Sequence, residues 1–593
     1  MRFVRTHILP LLTSSIVVGL AACGGAGDLS VGDGTEADAG AGADSGGADP
    51  GQDAAAGEDA ATPDTGSADG APPDAGPKDC SGYPLAVDPP NTLDPLVAGP
   101  LAVAHATLTI PTLGPLTNAK VKVHYPVQAD KVTPHPGRHA WVMFHHAVHG
   151  PYPGVTYDRY DGVFDRWASH GIITFSIDGS TVFFPPPPCG PGSTPSGAGC
   201  YTPQNFAQLG VVAGMMDAAI TYVLAEQEKA TFVLKCALDR ARVGVAGHSR
   251  GGGAATLVKT TRADGAVVKA YVGFQPVDPE ISPGAPTPPA AIPVFDIPAI
   301  WFDAGNDGDV TYPNTAMIYA HTRNRAALVT ILGSKHTFTL DTPTPHQGGT
   351  PPTVTPEEHK RVTHYYSVPF LRAFLRDAAP SAADAARVAG PDGSSVPASV
   401  SSGDATLRFR PADSATGWID RFDHPIGTTP TTTEAGGPIT LSGGMAAVSY
   451  ETYSGSVGTG ALAQAVSRLL RSVRLNWNAG ATDAAMEIAL PAGAFAGRKA
   501  IVFDTAYLDS PSVTSGTHPL YLEVTDTSGA IVSLAMSSLT PASWSRRPRR
   551  LATVHVPFTR LTGIDLTKAK AIRFVAKVGT ANHDVLLDVL RLE

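Results

Sequence analysis

A chain of 593 residues with 43% hydrophobic content is long enough to bury more than one core. Its net charge of −10 sits at one end: residues 24–79 hold thirteen acidic residues against one basic residue, Lys78, while 40 acidic and 40 basic residues follow from Cys80 onward. The balanced remainder offers no overall positive field for a polyanion, so no nucleic-acid partner is expected.

Residues 1–22 combine Arg2 and Arg5, the apolar run Ile8 to Leu20 and the small pair Ala21-Ala22, which is the layout of a secretory signal. With the cysteine that follows, Leu20-Ala21-Ala22-Cys23 resembles the bacterial lipoprotein signal. That resemblance implies lipidation of Cys23 and a membrane attachment at the outer membrane or cell surface. Residues 23–79 are mostly Gly, Ala, Asp, Pro, Ser and Thr, with almost nothing to bury, and are expected to be a disordered acidic tether.

Four further cysteines, Cys80, Cys189, Cys200 and Cys236, lie in a chain expected to be exported, where disulfides are permitted. Cys189 and Cys200 bracket a Pro/Gly/Ser loop that a bridge could close, leaving Cys80 with Cys236. Three connectivities remain open. The spacing matches a zinc site poorly.

Between residues 80 and 380, β-rich runs alternate with helical stretches. Strands are expected at Ala119–Tyr125, Ala140–His145, Ile172–Ile177, Arg242–Ala246, Lys269–Phe274, Ala299–Phe302 and Ala327–Leu332. Helices are expected at Phe206–Gln227, Gly251–Thr261, Pro313–His321 and Glu357–Arg376. The alternation predicts an α/β domain, a mostly parallel sheet covered on both faces. Residues 381–404, rich in Ala, Ser, Gly and Pro, read as a linker. Residues 405–593 carry many short alternating strands, the first at Thr406–Arg410, and predict an accessory all-β sandwich.

Chemistry concentrates where a predicted strand runs into Gly247-His248-Ser249-Arg250-Gly251-Gly252-Gly253 ahead of a predicted helix. A serine at a tight strand-to-helix turn projects its hydroxyl above the sheet, and glycines let strand and helix approach. A serine hydroxyl needs a base to take its proton and a carboxylate to orient that base. Later strands lead into Asp303-Ala304-Gly305-Asn306-Asp307-Gly308-Asp309-Val310 and into Gly333-Ser334-Lys335-His336. Serine, aspartate, histidine is the α/β-hydrolase chain order.

From about Lys120 to Arg376 the chain resembles the α/β-hydrolases, and its elbow looks like that of secreted esterases and lipases, chlorophyllases and polyester hydrolases. The resemblance implies a Ser249, Asp307, His336 triad acting on a small or polymeric ester, with no cofactor and no metal. Asp309 is the alternative acid, and Asp303, nearer the strand, a third. The oxyanion donors implied are the backbone N–H groups of Arg250 and of Ala147, with His146 standing where glycine is common in relatives.

Other readings accompany this one. The same triad serves amide or peptide hydrolysis, and a non-catalytic surface-binding lipoprotein would need none of it. His145, His146 and His149 could together bind a metal. Loops Asp178–Gln204 and Gln275–Ile297 are placed to rim the site. Trp418, Trp477 and Trp544 and the run from Arg546 to Arg550 lie in a C-terminal region that looks like carbohydrate-binding or galactose-binding-like jelly rolls, which implies possible carbohydrate binding.

Overall fold

The computed structural model describes residues 80–147, 157–179, 208–279, 296–310, 314–343, 350–377, 381–389, 405–412, 417–425, 427–451, 471–478, 483–508, 518–540, 550–577 and 584–593. Cys23, His149, Cys189, Cys200 and Trp544, and most of the two rim loops, lie outside them. Cys80 and Cys236 are joined by a disulfide.

Nine strands form one sheet: β1 (Ala102–Leu113), β2 (Leu116–Val127), β3 (His139–His145), β4 (Ile172–Ile177), β5 (Leu238–His248), β6 (Val268–Phe274), β7 (Ala299–Ala304), β8 (Ala326–Ile331) and β9 (Ala405–Arg410). Their spatial order is β1-β2-β4-β3-β5-β6-β7-β8-β9. Strands β4, β3, β5, β6, β7 and β8 are mutually parallel. An antiparallel hairpin closes one edge and antiparallel β9 the other. The hairpin turns at Gly114, φ 58°, followed by Pro115, whose ring holds φ negative, so a two-residue connection suffices.

Side chains alternate across the sheet, so each buried strand serves two cores. Trp141 and Met143 of β3 face one cluster with Val243, Val245 and Tyr271, while Ala140, Val142 and Phe144 face the other with Val272, Phe274 and Ile300. Helices α1 (Asp161–Ser169) and, beyond β8, α5 (Pro356–Leu371) cover the second face. The first is covered by α2 (Gln208–Glu226) and α4 (Asn314–Ala320), with the short α3 (Arg250–Ala255) following β5. Residues Leu209–Glu226 of α2 are apolar and long enough to cross a membrane, yet Val212, Met216, Ile220 and Val223 are fully buried in the first core. Thr355 caps α5 by accepting from the Glu358 N–H at 3.1 Å, with Pro356 as the first helical residue.

Two expectations are corrected. The interval 381–404 is not simply a linker: Ala382–Ala389 form helix α6, anchored by a buried bidentate pair between Arg372 and Asp384. Thr406–Arg410 is not a strand of the all-β region but β9, paired with β8 from Ala326↔Arg410 to Ile331↔Ala405. Its alternation of apolar and polar residues fits an edge strand of either sheet, so pattern alone could not place it.

Beyond β9 lie two antiparallel sheets. One contains β10 (Trp418–Asp420), β12 (Met445–Glu451), β13 (Arg471–Trp477), β15 (Ala500–Tyr507), β18 (Ala552–Pro557) and β20 (Val585–Leu592). The other contains β11 (Ile439–Ser442), β14 (Ala484–Ala489), β16 (Leu520–Asp526), β17 (Ile531–Ala535) and β19 (Ala569–Ala576). They share one core, in which Phe503 of the first meets Phe574 of the second edge-on at 5.2 Å. β9 touches this region: Arg408 bonds Asp504 at 2.7 Å and Asp588 at 2.5 Å, and Phe409 N–H donates to Thr553.

Candidate active site

Strands β3, β5, β7 and β8 run in one direction, so their carboxyl ends, and the residues that follow them, fall on one edge of the sheet. This is where open α/β sheets place ligands. Ala147 follows β3, Ser249 follows β5, Asp307 follows β7 and His336 follows β8.

Ser249 has φ 56° and ψ −123°, a strained conformation for a residue with a side chain. Its backbone is held on three sides: its N–H donates to Phe274 O at 2.9 Å, and its carbonyl accepts from Gly253 and Val277 at 3.0 Å each. Close packing makes glycine necessary around it. A methyl at Gly247 would overlap the Gly251 carbonyl, and one at Gly251 would overlap the carbonyls of His145 and His146. That second contact lays the β3 loop directly over the start of α3.

His336 Nδ1 lies 2.7 Å from Asp307 Oδ2, and both side chains are buried. Asp307 Oδ1 in turn accepts from the N–H groups of Asp309 and Val310 at 2.8 and 2.9 Å, which fixes the carboxylate. The two turns are also tied together: Gly305 N–H donates to Ile331 O and Asn306 N–H to Ser334 O. Burial by itself would lower the proton affinity of His336. The Asp307 charge and hydrogen bond, helped by Asp309, outweigh it and raise the pKa to about 9.

Of the three aspartates considered, Asp307 holds the imidazole. Asp309 Oδ2 is 3.7 Å from His336 Nε2, the opposite ring nitrogen, and is half exposed. Asp303 is buried and paired elsewhere, with Arg550 and the Thr330 hydroxyl. The His336 ring stands 4.6 Å from the ring of His248, the residue before Ser249. Among the described residues, His336 Nε2 makes no hydrogen bond. It is therefore not hydrogen-bonded to the Ser249 hydroxyl, and a base of this kind commonly engages its nucleophile only when substrate binds.

A scan against protein-family models finds no match for this chain, and a search of curated proteins finds none.

Arg250 is the first residue of α3, so its N–H belongs to the helix end next to Ser249. The Ala147 N–H is bonded at 3.3 Å to the Tyr160 hydroxyl, which also lies 2.8 Å from His248 Nδ1. The phenol oxygen thus accepts from Ala147 and shares a proton with His248 Nδ1. His146 uses both nitrogens locally, Nδ1 with the Ala147 carbonyl at 2.5 Å and Nε2 with the Gly179 N–H at 3.0 Å. His145 Nδ1 lies 3.0 Å from the His146 carbonyl. Burial pushes both rings well down, His145 to about 3 and His146 to about 4.

Several supporting residues escaped sequence reasoning. His359 on α5 lies between Ser334 Oγ, 2.5 Å from Nδ1, and Thr339 Oγ1, 3.0 Å from Nε2. Thr339 donates to Gln275 Oε1 at 2.9 Å, so it accepts from Nε2–H and leaves Nδ1 to accept from Ser334. Burial keeps His359 unprotonated, with its pKa down at about 3, in accord with that tautomer. This network braces both ends of the turn carrying His336. A Glu-Glu-His run opening a helix carries no signal for such a role.

In the C-terminal region, Trp477 is buried in the shared core, and Trp418 has the guanidinium groups of Arg421 and Arg591 at 5.7 and 5.9 Å from its ring centroid. Both tryptophans therefore have packing roles.

Proposed function

We propose that this chain is a serine hydrolase of the α/β-hydrolase type that cleaves carboxylic esters through an acyl-enzyme. In this reading Ser249 Oγ attacks the carbonyl carbon while His336 Nε2 takes its proton. Asp307 orients the imidazole and stabilises the imidazolium, and the proton then passes to the leaving alcohol. Water, deprotonated by the same His336, releases the acid. The N–H groups of Arg250 and Ala147 serve the oxyanion, the latter by turning from the Tyr160 hydroxyl. The residues around Cys23 favour export and lipid anchoring as part of the same reading.

The observation that carries it is the buried His336–Asp307 pair at the carboxyl edge of the sheet, with the His336 ring 4.6 Å from that of His248, the residue before a serine held at φ 56°. A core histidine needs no buried carboxylate partner, and a serine at an ordinary helix start needs no positive φ. Both are expected of a base and a nucleophile.

Purified protein should turn over short-chain nitrophenyl esters, and Ser249→Ala should lose that activity by about a thousandfold or more. Turnover that survives in Ser249→Ala would refute the assignment.

A further inference from the structure

A second constellation lies away from the Ser249 edge, where the β1–β2 hairpin meets α1. His105 of β1 and His124 of β2 are directly paired across the antiparallel ladder, with ring centroids 4.5 Å apart. Asp161 and Asp165 are four residues apart on α1 and so share a helix face. The strand pair of imidazoles therefore meets a helix pair of carboxylates. His105 Nε2 lies 2.7 Å and His124 Nδ1 2.8 Å from the same oxygen, Asp165 Oδ1. One ligand atom from each of the three side chains lies within 4.8 Å of the others.

We propose that His105, His124 and Asp165 form a divalent transition-metal site, zinc by preference, that pins α1 to the β1–β2 hairpin.

Two imidazole nitrogens and one carboxylate oxygen suit zinc, cobalt or nickel rather than calcium or magnesium, which prefer oxygen alone. With metal–ligand bonds of about 2.0–2.1 Å, tetrahedral ligands stand about 3.3 Å apart. The nitrogen–oxygen separations of 2.7 and 2.8 Å are hydrogen-bond lengths, and opening them by about half an ångström would admit the ion. His105 and Asp165 are partly exposed and can adjust, and water can complete the coordination; His124 is fully buried.

The second nitrogen of His124 strengthens the case. Nε2 is buried and makes no hydrogen bond, and what it faces is Asp161 Oδ1 at 3.4 Å. A metal on Nδ1 requires the ring proton on Nε2, where Asp161 is placed to accept it. This is the carboxylate–histidine–metal relay common around metal sites. Lys122 grips both oxygens of Asp161 at 2.8 and 2.7 Å, which holds that carboxylate as an orienting partner rather than a ligand. The site goes beyond the proposed hydrolysis and takes no part in it.

The test is titration of the full chain with zinc chloride by calorimetry after chelator treatment. Wild type should bind one equivalent that His105→Ala and Asp165→Asn each lose, and Asp161→Asn should weaken it by about tenfold or more. Ser249→Ala should keep it. His105 and Asp165 are partly exposed, so circular dichroism should show their variants folded. Cobalt should give visible d–d absorption in wild type and not in His105→Ala. Equal zinc stoichiometry and affinity in wild type and His105→Ala, or no saturable binding in wild type, would overturn the proposal and leave a hydrogen-bonded His-Asp-His cluster.

Discussion

Arg550, at the start of the segment leading into β18, is ion-paired with Asp303 on β7, four residues before Asp307. The same guanidinium reaches toward the Gly305 carbonyl at 3.4 Å. The all-β region therefore braces the turn that carries the triad's proposed acid. Burial raises the Asp303 pKa, and the Arg550 charge acts against it.

Removing Arg550 leaves a buried carboxylate without its cation, which typically costs about 3–5 kcal/mol. Arg550→Ala should lower the urea midpoint and reduce kcat for ester turnover more than it changes KM, because the acid turn loosens. Arg550→Lys should recover part of both. If kcat and midpoint in Arg550→Ala equal those of wild type, the brace is inconsequential.

Arg408 is shared by two carboxylates, Asp504 and Asp588, from two strands of the all-β region. Arg408→Ala would remove the guanidinium that two buried acids share where β9 joins the two regions. Calorimetry should show a lower first transition and separation of unfolding into two steps. A single unshifted transition would show that the regions are coupled by other contacts.

The His336 pKa is raised from 6.5 to about 9, so the imidazolium is the favoured form at neutral pH. At pH 7 only about one molecule in a hundred then carries the neutral base. The kcat/KM for a neutral ester should rise with pH and level off near 9, and Asp307→Asn should move that limb downward. Because the folded pKa is above the unfolded one, the His336–Asp307 pair contributes stability fully below about pH 6.5 and loses it as pH rises through about 9. A kcat/KM limb near 6.5 in wild type would show that Asp307 does not hold the proton on His336.

Gly251 lies under the carbonyls of His145 and His146. Gly251→Ala should push the β3 loop from the elbow, lowering the melting temperature by several degrees and displacing the Ala147 N–H. Esterase activity should fall even in the fraction that remains folded, while Gly210→Ala, with open space around it, should be neutral.

The sheet's parallel centre was legible because β3 to β8 are apolar runs bounded by turn residues, and the site because each relevant turn follows one of them. The order of Ser249, Asp307 and His336 could be read along the chain. The choice of Asp307 over Asp309 depended on which carboxylate faces Nδ1, a matter of one turn's backbone. Strand β1 was not anticipated, since Ala102, Ala104 and Ala106 give a weak apolar period around His105. Arg550 and Asp303 are 247 residues apart, and local pattern holds no record of such a meeting. The His105–His124 pair likewise exists only once the hairpin register is known. The Cys80–Cys236 bridge was one of three open connectivities, and spacing could not select it.

The most direct test is covalent labelling with a fluorophosphonate followed by peptide mapping. The account predicts one phosphonate per chain on Ser249, formed faster as pH rises toward 9, slowed by about a hundredfold or more in His336→Ala and absent in Ser249→Ala. No serine-dependent labelling in wild type, or a phosphonate mapped to another residue, would contradict it.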